Sequence, residues 1–216
     1  MKEEFINGIN YRLNEETLTA EVIEKSDNYE GDIIIPDTVV FYERIYSVTS
    51  IGDLAFQLCT ELTSITIPKS VTNIGNYAFF ACKSLKNIAI PKNVTSIGMS
   101  AFNGCDSLTS ITFPNNVTSI ESATFIDCES LTSIVIPNGV TSIGAHAFTD
   151  CTYLASIIIP NSVTSIGKEA FQYCKMLTSI TFQGTIAQWK EIELSDGWND
   201  EISTKVVHCT DGDVSC

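Results

Sequence analysis

The chain is short of positive charge. Its 12 lysines and arginines stand against 26 acidic residues, for a net charge of −14. Phosphate binding needs a basic stripe, so nucleic acid is excluded as a partner, and an anionic membrane surface is disfavoured on the same ground. No run of eighteen apolar residues occurs, so no membrane insertion is expected. The opening Met1-Lys2-Glu3-Glu4-Phe5 lacks the apolar stretch of a secretion signal, which fits either a cytoplasmic protein or one whose leader has been removed.

Catalytic and metal-binding patterns are also scarce. The two histidines are His146 and His208, and the adjacent pair His208-Cys209 would point to opposite faces of a strand. There is no glycine-rich phosphate loop, no His-x-x-x-His pair and no zinc-type cysteine pair within the central region. Asp211-Gly212-Asp213 falls short of a calcium loop. The paired acids Glu15-Glu16 and Asp200-Glu201 read as solvated surface. These absences argue against an enzyme and imply no cofactor.

What the chain has is a 23-residue unit. Copies start at Val48, Val71, Val94, Val117, Val140 and Val163 and cover 48–185. One position falls on Phe56, Phe79, Phe102, Phe125, Phe148 and Phe171, another on Cys59, Cys82, Cys105, Cys128, Cys151 and Cys174. A third falls on Pro68, Pro91, Pro114, Pro137 and Pro160 and breaks only at Gln183. A unit this short cannot bury its own apolar face, so the copies must stack into a repeat solenoid with one continuous core. Within each copy, Leu62-x-x-Ile65-x-Ile67 and its equivalents carry the period-2 step of a strand, ended by the proline. Val-Thr-Ser-Ile offers a second short strand, and Ala-Phe-x-x-Cys suits a single helical turn. The fourth copy departs from the pattern, with Glu121 and Thr124 where the third has Gly98 and Ala101. A glycine there supplies either a positive φ or a close approach, so a local shift is expected at Glu121.

Six of the eight cysteines belong to the repeat. Stacked in register they would lie roughly 5 Å apart, too far for a disulfide, and a ladder of buried reduced thiols is the expected arrangement. For Cys209 and Cys216, an Asp211-Gly212 loop would pair Cys209 with Val214 and leave no 209–216 disulfide.

The joint spacing of Val140-Thr141-Ser142-Ile143-Gly144, Ala147-Phe148, Cys151, Leu154, Ile157 and Ile159-Pro160 resembles the BspA-like leucine-rich repeat, a class also seen in a Treponema repeat protein. The resemblance covers at least 48–185, and the flanks resemble the caps of such proteins from gut anaerobes. It implies a right-handed leucine-rich-repeat fold with parallel β-strands, short helical turns and β-rich caps. It further implies a non-enzymatic, adhesin-like protein-binding scaffold, extracellular or at the cell surface, whose protein ligands include host matrix proteins and other bacterial surface proteins.

The flanks carry most of the charge: 1–47 has 11 acids and 4 bases, and 186–216 has 7 and 2. The 1–47 region reads as an N-terminal cap. It holds a hairpin over 8–24, a polar loop at 26–31, a degenerate repeat strand at Asp32–Pro36, and nine extra residues around 40–47. The 186–216 region reads as a C-terminal cap in which Trp189 and Trp198 cover the open end, with a strand, turn and strand from Val206. An aromatic sugar platform on those two tryptophans is the alternative function, and a structural spacer in a larger surface protein is a third.

For protein binding, the outward strand column of Thr66, Ala89, Thr112, Val135, Ile158 and Thr181, flanked by serines such as Ser133 and Ser156, forms a flat hydroxyl-rich face. Val135 and Ile158 form its apolar centre and are the expected anchor. Tyr77 and Tyr153 are expected on the convex turns.

Overall fold

In a computed structural model, which describes residues 1–215, the repeat is a stack of coils. The N-terminal part contains β1 (Lys2–Ile6), β2 (Ile9–Asn14), β3 (Thr19–Val22), β4 (Gly31–Ile34), β5 (Thr38–Phe41) and β6 (Arg44–Ile51). Each coil then supplies a longer strand and a two-residue one. These are β7 (Leu62–Thr66) and β8 (Asn73–Ile74), β9 (Asn87–Ala89) and β10 (Ser96–Ile97), β11 (Ser110–Thr112) and β12 (Ser119–Ile120). They continue with β13 (Ser133–Val135) and β14 (Ser142–Ile143), β15 (Ser156–Ile159) and β16 (Ser165–Ile166), then β17 (Ser179–Phe182). After α1 (Ile186–Lys190) come β18 (Glu193–Leu194), β19 (Val206–Cys209) and β20 (Gly212–Ser215).

Long strands pair in parallel with long strands and short with short, so each coil has a long-strand side, a short-strand side and a turn side. The one-coil register, Ser142 opposite Ser165 and Ile157 opposite Ile180, places like residues on like residues. Columns of identical side chains follow. The six phenylalanines are fully buried, and their rings stack nearly parallel at 5.2–5.5 Å.

The turn side is not a helical turn. Two residues per coil, four apart, sit in the left-handed region, as at Leu54 and Leu58, Tyr77 and Ala81, or Ser100 and Gly104. N–H groups alternate: Ala55, Gln57 and Cys59 bond back three residues, while Leu54, Phe56 and Leu58 donate to the next coil. The left-handed residues turn every second N–H along the stack, which converts a would-be helical turn into a third inter-coil ladder.

The repeat glycines serve close approach, not positive φ. A β-carbon on Gly75, Gly98, Gly144 or Gly167 would lie 2.5–2.6 Å from a backbone nitrogen of the preceding coil.

The cysteine column is buried and its thiols are free. From Cys82 on, each Sγ donates to the phenylalanine carbonyl of the previous coil, as in Cys105 to Phe79 at 3.2 Å and Cys174 to Phe148 at 3.0 Å. Burial pushes these thiols up, to about 12 for Cys174 and well above the ordinary value for Cys105, Cys128 and Cys151. The thiolate is the reactive form, so a thiol reagent is expected to label Cys59 through Cys174 only after denaturation. Labelling of these six in the native protein as fast as half-buried Cys209 would contradict the column.

Both ends of the phenylalanine column are closed by another aromatic. At the N-terminal end Tyr29 lies 4.7 Å from Phe56. Its hydroxyl donates to the Ile23 carbonyl at 3.0 Å, and its N–H reaches Cys59 Sγ. The loop expected to be simply polar at 26–31 therefore carries a core residue. At the C-terminal end the Trp198 ring stands edge-on to Phe171, and the Trp198 carbonyl accepts the Phe171 N–H at 2.8 Å. Elsewhere that acceptor is the residue before the phenylalanine of the next coil, as Ala170 is for Phe148. β18 extends the short-strand side and β19 the long-strand side, so the C-terminal region continues the winding for one more degenerate coil.

The flanking hairpins differ in detail from expectation. β1 precedes the predicted hairpin and joins it through Asn7-Gly8, both at positive φ. The nine extra residues form a β5–β6 hairpin turning at Tyr42 and Glu43, which leaves Val40, Tyr42 and Ile45 exposed. In the tail Cys209 faces Gly212 and His208 faces Asp213, so the loop is Thr210-Asp211, one residue earlier than expected. The 209–216 disulfide question lies outside the described residues.

Candidate functional site

The long-strand side presents two outward columns. The first runs Ile34, Thr66, Ala89, Thr112, Val135, Ile158, Thr181 and His208; strand register sets each step directly except Thr66 to Ala89, which continues the Ile65–Ile88 pair beside it, and Thr112 to Val135. The second runs Asp32, Ser64, Asn87 and Ser110, then Ser133, Ser156 and Ser179. Side-chain hydrogen bonds link the polar members nearer the N-terminus. Asp32 accepts from Thr63 at 2.8 Å and Ser64 at 2.6 Å, which together hold its carboxyl below its ordinary value. The Asn87 side-chain oxygen accepts from Thr109 and Ser110, both at 3.3 Å. Between Asn87 and Ser179 both columns are uncharged.

The face is not uniform. Thr66, Ala89, Thr112 and Ser133 are exposed and Val135 is 59% exposed, whereas Ser156, Ile158, Thr181 and Ser179 are half-buried. Two open depressions adjoin on it. One, of about 450 Å³, lies over Ala89 between Ile65 and Thr112. The other, of about 330 Å³, lies between Thr112 and Val135 and reaches Phe113 and Pro137. They meet at Ser110–Thr112. The relief therefore centres one to two coils nearer the N-terminus than the expected Val135–Ile158 anchor, because Ala89 leaves a gap that Thr, Val and Ile fill elsewhere.

The other sequence-level sites resolve differently. Trp189 and Trp198 are 3% and 6% exposed, packed on Phe182, on Phe171 and on each other. Stacking a sugar needs an open ring face, so the platform reading is corrected: both indoles are core. Tyr153 is exposed on the turn side, as expected, but Tyr77 is half-buried with its ring 6.0 Å from Phe80. His146 lies 3.3 Å from Glu169, and His208 lies 2.9 Å from Asp213. The turn side also carries a row of acids in which partial burial, then Asp150, Asp106 and Glu129, raise the Asp127 carboxyl. Among the described residues no helix is long and apolar enough to cross a membrane.

Missed by the sequence reading were Ala89 as the floor of a depression and Ile34 as an exposed end of the outward column. The signal for the first was present, since Ala89 is the smallest residue of its column.

Comparison with known proteins fits this architecture. No curated protein sequence matches the chain. Among solved structures, a leucine rich repeat protein of T. pallidum superposes with a TM-score of 0.74 at 29% identity, covering 83% of this chain and 81% of that one. A leucine-rich repeat protein of Eubacterium ventriosum ATCC 27560 also gives 0.74, at 26% identity, over 98% of this chain and 54% of its own. This chain thus spans about half of the latter protein's length. The BspA type leucine rich repeat region matches in 6 copies over residues 42–154 and 118–195. With most of its length so matched, and its strands stacked at the 23-residue register, the chain belongs to the BspA-type leucine-rich-repeat family.

Proposed function

We propose that the protein is a non-enzymatic, protein-binding scaffold, displayed as an adhesin-like module at the cell surface, and that its partner docks on the long-strand face. The observation that carries this reading is the coincidence, on the long-strand side of the stack, of an uncharged hydroxyl-rich surface, two adjoining depressions and an exposed valine. An apolar anchor ringed by polar groups that exclude water is the usual anatomy of a binding hot spot. Family membership supports the scaffold and the surface setting. Thr112, Ser133 and Val135 would contact the partner most closely, with Ser156, Ile158 and Thr181 extending the floor. The acidic flanks would act at longer range, favouring basic partners and making association salt-sensitive.

The test is the double change Val135→Lys with Ile158→Lys, assayed for binding to immobilised host matrix and mucosal extracts. Val135 points outward, and half-buried Ile158 leaves a lysine room to carry its charge to solvent. Reduced binding with an unchanged melting temperature is the expected result. Binding at full strength would remove the site from consideration while leaving the scaffold standing.

A further inference from the structure

Both sheets stop at the same place. The long-strand ladder runs from β4 to β11 and resumes at β13, while the short-strand ladder runs to β10 and resumes at β12. The two breaks fall on one interface, between the third coil (94–116) and the fourth (117–139). Bonds that recur at other interfaces lapse or stretch there. Thr95 and Thr141 donate N–H to Thr72 and Thr118 at 2.9 Å, and their hydroxyls do the same at 3.3 Å. Thr118 makes neither bond to Thr95, and Glu121 N–H does not reach Ile97, although Gly98 and Gly144 reach Ile74 and Ile120. On the long-strand side Thr132 N–H to Thr109 is 3.4 Å, against 2.9–3.0 Å for Thr109 and Ala155 in their own coils. The phenylalanine stack is widest at this interface too, 5.5 Å between Phe102 and Phe125.

The sequence supplies a cause on each side. A β-carbon at Gly98 or Gly144 would come within 2.5–2.6 Å of the neighbouring coil's backbone nitrogen, and Glu121 puts a β-carbon at that position. On the long-strand side Phe113 replaces the isoleucine of the adjoining coils, Ile90 and Ile136, and stands edge-on to Phe125 at 5.7 Å. The turn side is unaffected: Ser100, Phe102 and Gly104 still donate to Ser122, Thr124 and Ile126 at 2.8–3.0 Å, and Cys128 to Phe102 at 3.1 Å.

We propose that this interface is a built-in hinge, at which two hydrogen-bonded blocks are joined through the turn side and the shared core and flex apart on their sheet sides. In a stack stabilised by nearest-neighbour interfaces, the interface with the fewest bonds opens first. The depression between Thr112 and Val135 lies on the hinge, so flexing changes the shape of the long-strand face. The inference does not depend on what binds that face.

Amide hydrogen exchange on the intact protein tests it. Thr118 and Glu121 are expected to exchange roughly tenfold or more faster than Thr141 and Gly144, their counterparts one coil on. Glu121→Gly is expected to slow Thr118 and residue 121 to the rate of those counterparts. Glu121→Ala is expected to leave them fast, because the β-carbon alone forces the gap. Wild-type protection of Thr118 and Glu121 equal to that of Thr141 and Gly144 would overturn the hinge. So would a Glu121→Gly protein whose exchange at these sites is unchanged, and closure by Glu121→Ala would overturn the β-carbon as its cause.

Discussion

Phe102→Ala is expected to lower unfolding stability by about 3–5 kcal/mol. The ring is fully buried and sandwiched between Phe79 at 5.3 Å and Phe125 at 5.5 Å. Truncation removes its burial and leaves a cavity that cannot collapse, since coil spacing is held by the turn-side bonds of Phe102 N–H to Thr124 and Phe79 N–H to Ala101. The phenylalanine column is the aromatic stack that runs through all six coils, so a central vacancy weakens both flanking interfaces. Chemical denaturation followed by circular dichroism gives the midpoint. A variant that unfolds at the wild-type midpoint would mean that the column contributes nothing.

Trp198→Ala is expected to cost a similar amount, about 3–5 kcal/mol, though for a different reason. Trp198 is 6% exposed and covers the last phenylalanine, Phe171, while packing on Trp189 at 5.8 Å. Without it the end of the core faces water, and the last coil, which has a full coil on one side only, depends on that cap. Loss should therefore begin at the C-terminal coil, seen as faster native-state labelling of Cys174 than of Cys105. An unchanged midpoint together with equal labelling of the two cysteines would show that Trp198 is not a cap.

The coil was legible in the sequence because its columns repeat without a slip over six copies. Every buried position of the Leu62/Ile65/Ile67 series and of the Val71/Ile74 series follows from that period. What the period could not show is backbone chirality. The left-handed position at Leu54, Tyr77, Ser100, Ala123, His146 and Glu169 is occupied by six unrelated residue types. Its signal is therefore absent from composition, and the turn read as helical. The repeat glycine was legible only as a pair of alternatives, and close approach proved to be the operating one. The caps were harder because each uses its aromatic once: Tyr29 sits in a polar stretch, and its burial and 4.7 Å contact with Phe56 mark it as core. For the candidate face, alternation identified which side chains point outward. It carried no information on how deeply Ile158 is shielded or that Ala89 opens a depression, because both depend on the volumes of neighbours in adjacent coils.

Comparing the long-strand and short-strand sides decides most directly whether the long-strand face does the binding. Val135→Lys with Ile158→Lys places two lysines on that face, and Thr141→Lys with Thr164→Lys places two on exposed positions beside the short strands. Both pairs add the same charge to the same acidic protein, so long-range electrostatics and solubility change alike. If the long-strand face is the docking surface, the first pair should weaken binding to the matrix and mucosal extracts by on the order of tenfold or more, while the second retains it. Equal binding by the two variants, or loss confined to the Thr141 and Thr164 pair, would contradict it.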